Sequence, residues 1–210
     1  MPETTAAAER AYRHTKELIL GGDLHGGDLL SEGVLAAELG ISRTPVHEAF
    51  LRLGAENLLA LSSRRGAAVV PMAPDEARDV LEMRESIELS TARRALSAGL
   101  RADVLAGLRD NVERQRRLAT AGDVDGFVEA DNEFHATLVR ASGNRIALHF
   151  HDLLRDRQHR LRRQILHVGP ANIADALADH ELMLAAAERG DSDGFCRLIS
   201  QHVARHRGLL

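Results

Sequence analysis

Cysteine is nearly missing from this chain of 210 residues. The one thiol, Cys196, excludes an intrachain disulfide and fits a reducing cytoplasm. By itself it reads as a small buried apolar residue. Tryptophan is absent and tyrosine occurs once. No apolar run approaches the roughly 20 residues that a bilayer crossing needs, so no membrane helix is expected. The start, Met1-Pro2-Glu3-Thr4-Thr5, has neither the positive flank nor the apolar stretch of a secretory signal, which again points to the cytoplasm. Charge of one sign is lacking too. The net charge is −4, so no global field announces nucleic acid, and any DNA contact has to be a local patch. What is plentiful is histidine, at eleven residues. With 44% hydrophobic and 28% charged residues the chain reads as globular, and its length suits two small domains.

The local charge balance changes early. Residues 1–40 hold three cations, Arg10, Arg13 and Lys16, against seven acids. Residues 41–72 reverse this, with Arg43, Arg52, Arg64 and Arg65 against Glu48 and Glu56. The apolar positions Ala8, Ala11, Tyr12, Thr15, Leu18 and Ile19 form a helical stripe that stops at Gly21-Gly22. A loop rich in Gly and Asp follows. Ser31 is then placed to cap a short helix ending at Gly40, and Ser42 to cap the next, whose inner face is Val46, Ala49, Phe50 and Leu53. Only Gly40-Ile41-Ser42 separates the two helices, a tight turn with glycine in the left-handed position. Two short strand-like runs come next, at residues 58–61 and 67–70, joined by Ser62-Ser63-Arg64-Arg65-Gly66. After Pro71 and Pro74 only helical patterns remain, about six helices of 15–25 residues by their start and stop signals, with no clear internal repeat. The expected fold is mainly α. Residues 1–72 form a winged helix-turn-helix (three helices plus a β-hairpin wing), and residues 73–210 an all-α antiparallel helical bundle.

Helix, tight turn, helix and β-hairpin is the order of a winged helix-turn-helix. The second helix exposes Arg43, Thr44 and His47 near its N-terminus, the end that enters a major groove. Arg43 suits a bidentate pair with guanine, worth about 1–3 kcal/mol of discrimination. Ser42, Thr44 and the unpaired N–H groups of the helix start suit phosphate oxygens. Arg64, Arg65 and Gly66 fit a wing along the backbone or the minor groove. A plain helical hairpin with a solvated arginine is the bland alternative.

The stretch Gly27-Asp28-Leu29-Leu30-Ser31-Glu32, with Leu35-Ala36-Ala37-Glu38-Leu39-Gly40-Ile41-Ser42-Arg43-Thr44-Pro45-Val46, resembles the GntR family of bacterial repressors. So do Glu48-Ala49-Phe50-Leu51-Arg52-Leu53 and the Arg64-Arg65-Gly66 wing, and the likeness runs over nearly all of residues 8–72. It implies that Ser42, Arg43 and Thr44 touch DNA and that Gly66 sits at the wing tip. His47 stands where the family usually has arginine, and Gly33 where many members have another basic or polar residue.

In the second part, four polar residues occupy apolar stripes. Asp131 falls among Phe127, Phe134 and Leu138, with His135 one turn on; His180 falls among Ile173, Leu177 and Leu184; His202 falls among Phe195, Leu198 and Ile199. Buried unpaired, these groups would be costly. A divalent metal held by all four is one answer, Zn²⁺ first, with Ni²⁺, Mn²⁺ or Fe²⁺ as alternatives. The other is a set of separately satisfied core residues, with Asp131 bonded to His135. Arg84 lies on the inward face of its helix, either as a clamp for an effector carboxylate or as the partner of Glu88 or Asp131. His149, His151, His159, His167 and His206 read as partly exposed, His206 being the one placed to substitute as a ligand.

Asp131-Asn132-Glu133-Phe134-His135, Ala141-Ser142-Gly143-Asn144, His180-Glu181, Asp191 and His202 resemble the FCD ligand-binding domain of FadR-like GntR regulators, over roughly residues 75–205. The resemblance implies metal ligands at Asp131, His135, His180 and His202 and a small organic acid on or beside the metal. The function expected is that of a homodimeric, effector-controlled regulator, a repressor of the operator DNA it binds, acting through the segment around Pro71–Pro74. Two alternatives are a regulator for which the metal is the signal and a metal-dependent hydrolase or lyase. The second lacks a nucleophile elbow, a phosphate loop and a His-Glu-x-x-His motif, and Glu133 points away from the ligand face.

Overall fold

The computed structural model describes residues 2–62, 66–167 and 170–208. The chain divides into two compact units, Met1–Ala73 and Pro74–Leu210. In the first unit α1 (Pro2–Leu20) lies on α3 (Arg43–Ala55), with α2 (Glu32–Leu39) between them in sequence. Ala8, Ala11, Thr15 and Ile19 of α1 recur at helical spacing and are all buried, as are Val46, Ala49, Phe50 and Leu53 of α3. Leu35 and Ala36 of α2 complete the core. Gly40 takes φ 64°, and the Ile41 N–H returns to Ala36 O at 3.0 Å, which closes α2 in a left-handed cap. Ser31 and Ser42 occupy the two N-cap positions in extended backbone, but neither hydroxyl bonds the start of its helix. The expected capping bonds are therefore corrected to capping positions only.

The strand-like runs are β2 (Leu59–Ser62) and β3 (Gly66–Val69), paired antiparallel with Leu59 opposite Val69 and Ser62 opposite Gly66. A third strand, β1 (Leu29–Leu30), joins the other edge of β3 to give the order β1-β3-β2. It falls in the Gly/Asp-rich stretch read as loop, because two residues are too few to show a period. Gly66 makes this pairing possible. Its φ is +83°, and a Cβ placed there would lie 2.0 Å from the carbonyl oxygen of Leu30. Gly66→Ala is therefore expected to cost about 2 kcal/mol or more, since the obstacle is backbone and the conformation is left-handed. Thermal unfolding of the purified variant checks this; an unchanged midpoint would show that β1 does not dock there in solution.

The second unit contains α4 (Pro74–Ser97), α5 (Ala102–Ala121), α6 (Val124–Ala141), α7 (Arg145–His167), α8 (Pro170–Glu188) and α9 (Ser192–Arg207). The pairs α5–α6, α6–α7 and α8–α9 are joined by two or three residues and pack on each other, so each pair runs antiparallel. α4 packs on α6, α7 and α9, and α5 also packs on α8. Two helix starts are alike in a way the sequence reading did not register. Gly122-Asp123-Val124-Asp125-Gly126-Phe127 and Gly190-Asp191-Ser192-Asp193-Gly194-Phe195 each put Gly in the left-handed cap of one helix and Asp at the N-cap of the next. Asp123 accepts from Gly126 N at 2.9 Å and Asp191 from Gly194 N at 2.8 Å. Each start then sends its Phe into the core.

Candidate metal centre and nucleic-acid interface

Four side chains from three helices converge inside the second unit. α6 supplies Asp131 and His135 one turn apart, α8 supplies His180, and α9 supplies His202. All four are at most 1% exposed, and one donor atom from each lies within 4.8 Å of every other. Metal bonds of about 2.0–2.2 Å would draw such donors only slightly closer.

The hydrogen bonds around the rings fix what they offer at the centre. Asn111 donates to the carbonyl of Ala130 through Nδ2 (3.0 Å), so its Oδ1 is left to accept from Gln115 Nε2 (2.7 Å). That orients Gln115, whose Oε1 accepts from His180 Nδ1 at 2.7 Å. His202 Nδ1 donates to Asp179 Oδ2 at 3.0 Å, and Arg205 holds the other oxygen of Asp179 at 2.9 Å. Arg84 has only protons to give, and its Nη2 donates to His135 Nε2 at 2.8 Å. His135 Nδ1 lies 2.8 Å from Glu88 Oε2, a close polar contact off the line of a hydrogen bond. Each ring thus carries its proton on Nδ1 and turns the Nε2 lone pair inward.

Of the three inward lone pairs, that of His135 accepts from Arg84 Nη2 and the other two have no donor. His135 Nε2 and His180 Nε2 face each other at 3.1 Å, and His202 Nε2 makes no hydrogen bond. Asp131 Oδ1, also without a hydrogen bond, lies 3.4 Å from His180 Nε2. Burial pushes His135 down to about 4 and His180 to about 3, and holds His202 well below the usual imidazole range, so no extra proton bridges the rings at neutral pH. Burial alone would raise the Asp131 carboxyl, but Arg162 and the neighbouring imidazoles outweigh it and keep it ionised. Three imidazole nitrogens and a carboxylate facing inward in a dry interior suit a divalent cation.

A ring of further charges surrounds this centre. Arg84 is 1% exposed and donates through Nε to Glu88 Oε1 at 2.7 Å, with Nη1 3.3 Å from His206 Nδ1. Of the partners considered for it, Glu88 is the one found; Asp131 is paired with Arg162 instead, Nε to Oδ2 at 2.6 Å. His151 and His206 are buried, against the expectation of partial exposure, while His149 is exposed and His159 half-buried. The side chain of His167 lies outside the described residues. Arg162, Gln115 and Asp179 were missed as site residues, and Glu88 was read only as a partner of Arg84. Gln115 sits in Glu113-Arg114-Gln115-Arg116 and Arg162 in Arg160-Leu161-Arg162-Arg163, runs that read as solvated faces. Asp179 had one signal, its place beside His180. Glu133 is exposed and bonds Arg140, so it brings no general base to the centre. Cys196 is buried, and burial pushes its thiol up.

In the first unit, Ser42, Arg43, Thr44 and His47 are exposed at the start of α3, while Pro45, Val46, Ala49 and Phe50 are buried behind them. The Arg43 guanidinium lies over Gly33 of α2, where a Cβ would meet its Nη2 at 3.1 Å. His47 Nδ1 is 2.7 Å from Glu32 Oε1, across the turn. Arg64 and Arg65 lie outside the described residues; Gly66 is described and opens β3 rather than forming the tip. A short helix, a tight turn, an exposed basic helix start and a three-stranded wing sheet define a winged-helix DNA reader, here followed by a helical unit with a buried donor cluster.

Comparison with known proteins agrees. The chain matches the model of bacterial regulatory proteins of the gntR family over residues 7–69 and that of the FCD domain over residues 79–205. An HTH-type transcriptional regulator of Streptomyces ambofaciens is 36% identical over 146 residues, which cover 69% of this chain and 61% of that protein. The HTH-type transcriptional repressor RspR of Escherichia coli K12 is 27% identical over 201 residues, 95% of this chain and 87% of the relative. A transcriptional regulator described as GntR from Rhodococcus sp. RHA1 shares the fold, with a TM-score of 0.80 at 19% identity over 97% of each chain. The chain belongs to the GntR family of bacterial regulatory proteins, in the branch that carries an FCD domain. It is a DNA-binding transcriptional regulator and not an enzyme. No helix among the described residues is long and apolar enough to cross a membrane.

Proposed function

We propose that this regulator is a cytoplasmic homodimeric repressor whose grip on its operator is set by a small organic acid bound at or beside a divalent metal in residues 73–210. The observation that carries the reading is the set of inward lone pairs on His135, His180 and His202 beside the ionised Asp131. These four residues would hold the ion, Zn²⁺ by the chemistry of nitrogen and carboxylate donors, with Ni²⁺, Mn²⁺ or Fe²⁺ as substitutes. When bound, it supplies a Lewis-acid charge that attracts a carboxylate. Arg84 is the clamp beside it. Ser42, Arg43, Thr44 and His47 read the operator with Arg64, Arg65 and Gly66 from the wing. One winged helix covers one half-site, which is why a dimer is needed. Repression follows the E. coli relative, named as a repressor.

The test is operator affinity of the purified protein for its own upstream DNA, with and without chelator and across a set of small acids. Metal and acid together are expected to change affinity by about 5–150-fold, the usual size of allosteric coupling. Affinity unmoved by any of them would sink the proposal. A second reading makes the metal itself the signal. It is favoured by the burial of all four donors, since closed four-ligand sites resemble structural ones. In that case DNA affinity follows free metal with no acid present.

A further inference from the structure

His47 stands one turn on from Arg43 and Thr44, so the three share the exposed strip of α3 behind which Val46, Ala49 and Phe50 are buried. Its ring is held from one side. Nδ1 lies 2.7 Å from Glu32 Oε1 at the start of α2. A carboxylate only accepts, so the proton of that bond belongs to Nδ1. A neutral imidazole carries one proton, and here Glu32 takes it. Among the described residues Nε2 makes no hydrogen bond, and the ring is 54% exposed. Nε2 is therefore the nitrogen left for a partner.

What Nε2 can hold depends on the charge of the ring. Neutral, it turns a bare lone pair outward. DNA phosphates offer only acceptors, as do N7 and O6 of guanine, so the neutral ring bonds to none of them. With a second proton the same nitrogen becomes a charge-assisted donor, and Nδ1 stays on Glu32. The local charge favours that proton. Around the start of α3, Arg43 stands against Glu32 and Glu48, a negative balance for a surface that is to meet phosphates. The other elements packed on α3 do not alter it among the described residues. β2 carries no charged residue, and the charges of α1 are engaged elsewhere, Glu9 with Arg52, Lys16 with Glu56 and His14 with Glu38.

We infer that operator binding takes up a proton at His47, and that Glu32 is the positioning residue that makes the uptake necessary, by holding Nδ1 so that only Nε2 meets the DNA. The acceptor is a phosphate oxygen or a guanine edge. This rests on the operator reading proposed above. The complex holds the proton more tightly than the free protein does. Affinity is therefore highest at low pH and is lost as pH rises through the range in which imidazole discharges, about pH 5–8.

The test uses the full-length protein, a duplex of its own upstream DNA and a scrambled duplex beside it. Anisotropy titrations at constant ionic strength follow affinity with pH, and calorimetry in buffers of different ionisation enthalpy counts protons. About one proton per half-site should be taken up. Operator affinity should fall about tenfold or more from about pH 6 to 8, the effect of one charge-assisted hydrogen bond. His47→Arg keeps a donor at every pH and should bind without the fall, and His47→Gln should lose both the uptake and the fall. Glu32→Ala frees the ring to offer its single proton to DNA, so the uptake should shrink, which loss of a merely structural contact would not produce. A fall on the operator alone assigns the acceptor to a base edge, and an equal fall on the scrambled duplex assigns it to a phosphate; both uphold the inference. No uptake by the wild type, as a neutral ring on an adenine or cytosine amino group would give, overturns it. So does the same fall in His47→Gln, or undiminished uptake in Glu32→Ala. A wild type that prefers the operator at no pH overturns the reading beneath it, whereas specific binding without proton uptake overturns this inference alone.

Discussion

His180→Ala is expected to purify with almost no metal under chelator-free conditions in which the wild type carries about one ion per chain, because loss of even a partner behind a ligand weakens metal sites about 10–100-fold. The ring does three jobs at once. It turns Nε2 to the centre, donates to Gln115, and stacks on Phe134 with centroids 4.5 Å apart. Its removal therefore also leaves Gln115 Oε1 buried without a donor and opens a void, together worth about 2–5 kcal/mol. His151→Ala separates the two effects. It too removes a buried imidazole, but one outside the ligand set, so it should lower stability and leave metal content alone. Elemental analysis of the three proteins decides. Equal metal in wild type and His180→Ala, or none in either, would reduce the four residues to a hydrogen-bonded core cluster.

Arg43→Ala is expected to abolish specific operator binding while sparing the fold. Arg43 is exposed, contributes nothing to the buried face of α3, and heads the helix proposed to read the operator. One lost bidentate base pair costs about 1–3 kcal/mol, and a dimer loses two, for a combined drop of about 30-fold to more than 10⁴-fold. Binding to non-specific DNA should fall far less, since phosphate contacts remain. Anisotropy titrations on operator and scrambled duplexes give both numbers. Equal losses on the two would recast Arg43 as a phosphate contact.

Much of this was legible in the sequence because the signals were periodic. The order of helices, the Gly40 turn and the two longer strands follow from spacing and from residues whose backbone geometry is special. The polar residues inside apolar stripes of α6, α8 and α9 drew attention because burial and charge conflict at those positions. What escaped had no such conflict to show. β1 is two residues long, and its existence depends on Gly66 across the sheet. Arg162 and Gln115 lie among other charged and polar residues, and nothing local says which one turns inward. Asp179 meets His202 only through the packing of α8 on α9. The matched turns at Asp123 and Asp191 were visible as letters, yet six residues in a chain of 210 do not stand out until both are seen capping a helix.

The glycine beneath Arg43 bears on how such regulators diverge. A side chain at position 33 would press on the far end of a flexible guanidinium, not on backbone, so the fold would absorb the change and the arginine would move. If Ser42, Arg43 and Thr44 read the operator as proposed, its preference can drift through α2 while they stay as they are. Paralogues with identical recognition helices would then control different promoters, and sorting them by that helix alone would group together proteins that no longer share targets.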